Sequence, residues 1–241
     1  METSPAVAPI RPNVAAALRG VILAPASAFA EIDRGARWIW PIVVTGILAI
    51  AGTLISGPAF EVAMEAGMEK ARAAGGEMSP ETMQRMQTFT VIGQAVSMPV
   101  VALLSALVGA AILFLTTRGL RVPFKSLFRL SAYTGMVGFG LNALLGGILT
   151  RVRWNGGQVE TQADLYPRMG LDLLGGEGWA RAFMSAVNPF SIWAAVLTVL
   201  GVAVLAKKPP GKVALPVVIG IVLGALFGAC MMGLSLSRMS S

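Results

Sequence analysis

Residues 38–60, 86–117, 130–150, 182–206 and 213–237 form five stretches without a single Asp, Glu, Lys or Arg. A helix needs about 20 apolar residues to cross a hydrocarbon core of about 30 Å. Each run meets that length, so the chain is expected to be an all-α, multipass transmembrane bundle of five spans. The composition agrees: 55% of the residues are hydrophobic and only 13% charged, against about 25% charged in soluble domains. The expected spans are residues 38–60, 90–117, 130–150, 182–206 and 213–237. Together they make one membrane domain over 38–237, with residues 1–37 ahead of it and a short tail, 238–241, behind.

The placement of charge gives an independent reading of topology, because basic residues concentrate in short cytoplasmic loops. Arg11, Arg19, Arg34 and Arg37 precede the first span. Arg118, Arg121, Lys125 and Arg129 join the second to the third with no acid, and Lys207, Lys208 and Lys212 join the fourth to the fifth, again with none. The other two connections mix acids with bases: Glu61, Glu65, Glu69, Glu77 and Glu81 in one, Glu160, Asp164, Asp172 and Glu177 in the other. The N-terminus is therefore expected in the cytoplasm and the tail on the far side. The net charge of +7 is explained by topology and calls for no nucleic acid. Arg118, Arg121, Lys125 and Arg129 form the densest basic patch, a candidate contact for anionic lipid headgroups.

Before the first span, Asn13 is placed to cap a helix in which Val14, Ala17, Leu18, Val21 and Ile22 share one face. The expected element is an amphipathic helix at the membrane interface. Arg19 interrupts the apolar run and argues against a cleaved signal, although Ala26-Ser27-Ala28 has the small-residue pattern of a cleavage site. Trp38 and Trp40 then mark the interface. The second run is too long for a simple crossing: 80–117 as one helix is about 57 Å. A helix starting at Ser79-Pro80, rising outside the membrane and kinking near Pro99, reconciles the two.

With 0 histidines and 1 cysteine, the chain has no imidazole acid–base centre, Cys/His zinc site or intrachain disulfide. No GxSxG elbow, Walker loop or HExxH is present. No cofactor is expected and the protein is read as non-enzymatic. Met64, Met68, Met78, Met83 and Met86 offer soft thioethers of the kind that select Cu(I). Without Cys or His beside them, packing at the bilayer rim is the reading preferred. Glu61, Glu65 and Glu69 at four-residue spacing read as a solvated acidic stripe.

Two sets of residues inside the spans are candidate sites. Gly135 and Gly138 in the third span, with Gly220, Gly224 and Gly228 in small-xxx-small register in the fifth, suit close helix packing within the bundle or a homodimer. Gln94, Asn142 and Asn188 are polar side chains that could converge in a small pocket. The outer loop 151–181 is expected either to fold back over the bundle or to be a mobile connection. Asn188, followed by Pro189, has the form of a helix start.

Scattered patterns resemble the Yip (Ypt-interacting protein) domain family. They are Leu23-Ala24-Pro25 with Phe29 and Ile32 ahead of the first span, Phe128 to Tyr133 at the third, and Asn188-Pro189-Phe190-Ser191-Ile192-Trp193 opening the fourth. A short basic turn and a glycine-rich last span follow, 207–228. The resemblance implies five spans with a cytoplasmic N-terminus. It implies no catalytic residues. Eukaryotic members associate with Rab GTPases and with one another. The short N-terminus and Ala/Gly-rich sequence resemble a bacterial member in the inner membrane, where membrane lipids, a membrane-protein partner or a homo-oligomer are the expected associations. The competing class is a transporter or transporter subunit for a lipid or weakly polar solute, using kinks at Pro99 and Pro216.

Overall fold

A computed structural model describes residues 12–73, 80–158, 167–175 and 178–239, with side chains outside 60–73, 80–92, 94–95, 178–179, 182, 229 and 231–239. The methionine cluster at 64–86, the acidic stripe Glu61, Glu65 and Glu69, and the Gln94 side chain lie outside the described positions.

The five apolar runs are helices long and apolar enough to cross a membrane: Ile39–Ala59, Val96–Thr116, Phe124–Asn155, Pro189–Ala206 and Pro210–Gly228. They belong to α3 (Ile39–Ala73), α4 (Pro80–Thr116), a third span built of α5 (Phe124–Gly135), a π-helical segment (Met136–Leu141) and α6 (Asn142–Asn155), then α8 (Pro189–Ala206) and α9 (Pro210–Met239). Two shorter helices, α1 (Val14–Leu23) and α2 (Pro25–Asp33), precede them, and α7 (Gly178–Ser185) lies before α8. Among the described residues there is no strand. At 35 and 37 residues, α3 and α4 each exceed the roughly 20 residues of a crossing, so both extend past it. The proline ring of α4 is absorbed by its neighbour: Pro99 packs against Gly46 of α3, where an added Cβ would stand 3.1 Å from the Pro99 Cγ.

The helices of the third and fourth spans start at other residues than the apolar runs do. The third span begins at Phe124, before Lys125 and Arg129, because the helix start is amphipathic: Lys125 is exposed while Leu127 and Leu130 are fully buried. The fourth begins at Pro189, because Asn188 caps a new helix there and 182–185 belong to α7.

Asn13 does cap α1, accepting from the Ala16 N–H at 3.0 Å. The helix is short because Ala24-Pro25 starts α2, with Pro25 in the first turn where its missing N–H costs nothing. The two helices form a hairpin that closes tightly at Gly20, where an added Cβ would meet the Ala28 Cβ at 3.0 Å. Its apolar face is buried against protein. Ala17, Val21, Phe29 and Ile32 join Leu127, Leu130, Tyr133, Leu197, Val202, Val213 and Val217 in one core cluster. The hairpin thus packs on α5 and α8, while Ile22 and Leu23, 42% and 81% exposed, remain at its tip.

The closest backbone approach joins the first and third spans. A Cβ on Gly52 would collide with the Ala143 carbonyl, and one on Gly147 would collide with the Gly52 carbonyl. Helices in lipid associate through van der Waals packing, which small residues permit at close range. Gly140 extends the seam, with its Cβ position 3.3 Å from the Thr45 Cα. A Gly52→Ala substitution is expected to destabilise the bundle by about 2 kcal/mol or more, while Gly57→Ala, with open space around its Cβ position, leaves it unchanged or slightly stabilised. Unfolding of both variants in mixed micelles checks the contrast.

Candidate functional site

All five spans line one internal cavity of about 260 Å³. It lies between the third and fifth spans, with α4 and α8 as side walls: α9 packs on α4 and α8, and α5 packs on the same two helices. Ile42 and Thr45 of α3 complete the lining. Ile42 and Leu113 stand about one turn from the basic ends of α3 and α4, so the cavity begins close to that end and reaches toward mid-span.

Its walls carry no ionisable side chain; the polar groups are the hydroxyls of Thr45, Ser105, Ser131, Thr134 and Thr198. Three are turned to their own helices. Thr45 donates to the Pro41 carbonyl at 2.6 Å, Thr134 to Leu130 at 3.1 Å and Thr198 to Ala194 at 2.7 Å. The cavity is therefore predominantly apolar, with local hydroxyl oxygens on its surface.

The π-helical segment supplies part of the wall through Gly138 and Phe139. A π-turn holds one extra residue and is frequent at functional positions. An insertion of one residue rotates the helix beyond it by about 100°. The two halves of this span have different neighbours: α5 packs chiefly on α4 and α8, and α6 on α3. Gly138 fits the segment against α8, its Cβ position lying 3.0 Å from the Ala194 Cβ.

Gly135, Gly138, Gly220 and Gly224 all line the cavity. A Cβ on Gly135 would meet nothing within 4 Å, on Gly220 it would meet Thr116 Oγ1 at 2.8 Å, and on Gly224 it would make an ordinary 3.7 Å contact with Ile112. Gly228 has open space around it. The tightest seam is made instead by Gly52, Gly140 and Gly147. The closeness of Gly146-Gly147 to a mid-span Gly52 is the signal for it, but only in combination with the helix that opposes it.

Asn142 and Asn188 occupy different depths. Asn142 follows the π-helical segment near the middle of the third span, and its Oδ1 is buried without a hydrogen-bond partner. Asn188 sits at the start of α8 and is committed to the cap. Its Oδ1 accepts from the N–H groups of Phe190 and Ser191, both at 3.0 Å, and its Nδ2 donates to the Ser185 carbonyl at 3.1 Å. Ser191 completes a capping box by accepting from the Asn188 N–H at 2.9 Å. Beside this corner the described part of the outer loop folds back. Leu171 N–H donates to the Val187 carbonyl at 3.0 Å, and the Met169 methyl lies 3.5 Å from the Cβ position of Gly146. Asp172, 3% exposed, uses Oδ1 to accept from the Gly170 N–H.

At the basic end, Arg118, Arg121 and Lys125 are exposed and Arg129 is partly buried. Asn188→Ala is expected to cost about 1 kcal/mol, the usual value of a lost N-cap, with Asn188→Asp retaining most of it. Thermal unfolding of the two variants in detergent checks this.

Comparison with protein families matches residues 19–232 to the Yip1 domain. No curated protein and no solved structure matches the chain.

Proposed function

The chain belongs to the Yip1 domain family of membrane proteins, and from that premise we propose that it is a non-enzymatic protein of the bacterial inner membrane. It organises a membrane complex by lateral association with a protein partner, a second copy or lipid. The observation that carries this reading is the outward apolar face of α4 and α9, and the internal cavity is consistent with it. The cavity wall offers an apolar body a place between spans, but holds no ionisable group for acid–base catalysis or proton coupling. In their most apolar segments, α4 and α9 are the least buried of the five spans, at 22% and 17%, and side chains such as Val96, Leu115 and Leu215 face outward. Gly228, with nothing near its Cβ position, leaves room for a partner helix to approach. Arg118, Arg121, Lys125 and Arg129 supply contacts for anionic headgroups at the membrane surface.

Transport of a lipid or weakly polar solute is the second reading, and the cavity between the third and fifth spans is the observation that favours it. One variant separates the two. Gly135→Leu fills the cavity from a position with no close neighbour, and replaces glycine by a residue about 1 kcal/mol better in a helix. Association at the outer face predicts an unchanged thermal transition and unchanged co-purifying partners in native-lipid nanodiscs. Loss of a bound small molecule with the partners intact moves the assignment to transport.

A further inference from the structure

Among the described residues Arg129 is a cation without an ion pair, set against a turn whose hydrogen bonds are largely internal. It stands on α5 and reaches toward the turn between α2 and α3. That turn accommodates it through Gly35, whose φ of +105° favours glycine, and whose Cβ position is 3.5 Å from the Arg129 Nη1. The guanidinium thus lies against bare backbone. Its Nε is buried and has no hydrogen-bond partner.

Several acceptors of that turn are already engaged. The last carbonyls of α2 accept from the turn itself: Ala30 from Arg34 N–H at 3.1 Å, Ile32 from Gly35 N–H at 3.0 Å and Glu31 from Ala36 N–H at 3.0 Å. The Arg37 carbonyl accepts from the Tyr133 hydroxyl at 3.3 Å. Both oxygens of the Glu31 carboxylate are taken, Oε1 by Arg34 at 2.5 Å and Oε2 by the Asn13 N–H at 2.9 Å. Among the described residues Arg129 forms no ion pair. A buried charged donor left unsatisfied bears its full desolvation cost, so an acceptor from outside the chain has a clear energetic role.

The surroundings identify the class of that acceptor. Arg37, exposed, adds a second cation on the same turn. Phe128, next to Arg129, meets the Trp38 ring at 5.3 Å between centroids and an interplanar angle of 61°. Trp38 and Trp40 are 37% and 47% exposed at the start of the first span, where indoles lie at headgroup level. We propose that Arg129 is a site for the phosphate of an anionic phospholipid. The guanidinium fork takes the phosphate oxygens, Arg37 supplements the charge, and the upper part of the lipid runs along the Trp38–Phe128 pair. Guanidinium matches phosphate in two-point geometry, which a lysine ammonium cannot reproduce. This inference rests on the lipid part of the function proposed above and specifies it at one residue.

Native mass spectrometry of the full chain, released from nanodiscs of equal phosphatidylcholine and phosphatidylglycerol, tests it. Wild type is expected to retain one phosphatidylglycerol in preference to phosphatidylcholine by about tenfold or more, the scale of one charge-assisted hydrogen bond. Arg129→Gln abolishes the preference and Arg129→Lys, which keeps the charge and guards against misfolding, retains part of it. Lys208→Gln, at an exposed position on the α8–α9 turn and outside the Arg118 to Arg129 patch, leaves it intact. Equal retention of both lipids by wild type overturns the proposal without reference to any variant. Equal loss in Lys208→Gln and Arg129→Gln also overturns it, since diffuse surface charge then explains the binding. Retention of added inorganic phosphate with no lipid preference assigns the site to the free anion and overturns the lipid. Partner capture is read separately: selective lipid with no partner protein contradicts protein association while leaving the Arg129 site standing.

Discussion

At the crossing of α3 and α6, the backbones of Gly52, Ala143 and Gly147 approach with no side chain between them. Within a bilayer there is little hydrophobic gain in bringing two apolar helices together, so contact of this kind has to come from close surface fit. The first and third spans are joined here, and Gly140 carries the same seam toward Thr45. The third span in turn packs against α4 and α8 through its α5 half. The α1–α2 hairpin adds a second clamp at the basic end, with fully buried Ala17, Val21 and Ile32 in the core that also holds Leu197, Val213 and Val217.

Between these two fastenings the bundle is open in its interior. The fifth span is held from the sides by α4 and α8, and its glycines 220 and 224 join Gly135 and Gly138 around the cavity. Small residues therefore have two effects in one fold. Where opposing backbones meet they make a seam, and where no side chain fills the gap they leave a space. The π-helical segment lies next to both, contributing Gly138 to the cavity and Gly140 to the seam. An apolar cavity of this size does not require water; the engineered apolar cavities that stay dry are smaller, about 150 Å³, and accept apolar ligands.

Much of the architecture was legible in the sequence. Uncharged run length marks the five spans because the bilayer sets the scale. Asn13 and Asn188 announce their helices because an amide oxygen satisfies orphan N–H groups locally. Tertiary contacts were less legible. The periodicity of Val14, Ala17, Leu18 and Val21 describes an apolar face equally well whether lipid or protein covers it, and here α2 and the bundle bury Ala17 and Val21. The register of Gly220, Gly224 and Gly228 is visible in the chain, yet Gly52 and Gly147 make the closest approach, because that depends on which face of another helix lies opposite. Arg129 looks like any other basic residue beside a span. Its distinction arises only when Gly35 lets the guanidinium lie against the backbone and Glu31 and Arg37 have other donors on their oxygens.

The central claim is that the spans line an apolar space between the third and fifth of them. A nitroxide placed at Ser131→Cys, in a Cys230→Ser background, reads this directly through its collisions with oxygen and with a water-soluble nickel chelate. Ser131 is 8% exposed and lines the cavity wall. The account predicts strong relaxation by oxygen, which concentrates in hydrocarbon, and little by nickel. Protection from both reagents would show a filled interior, and strong nickel collisions an aqueous one; either result would contradict it.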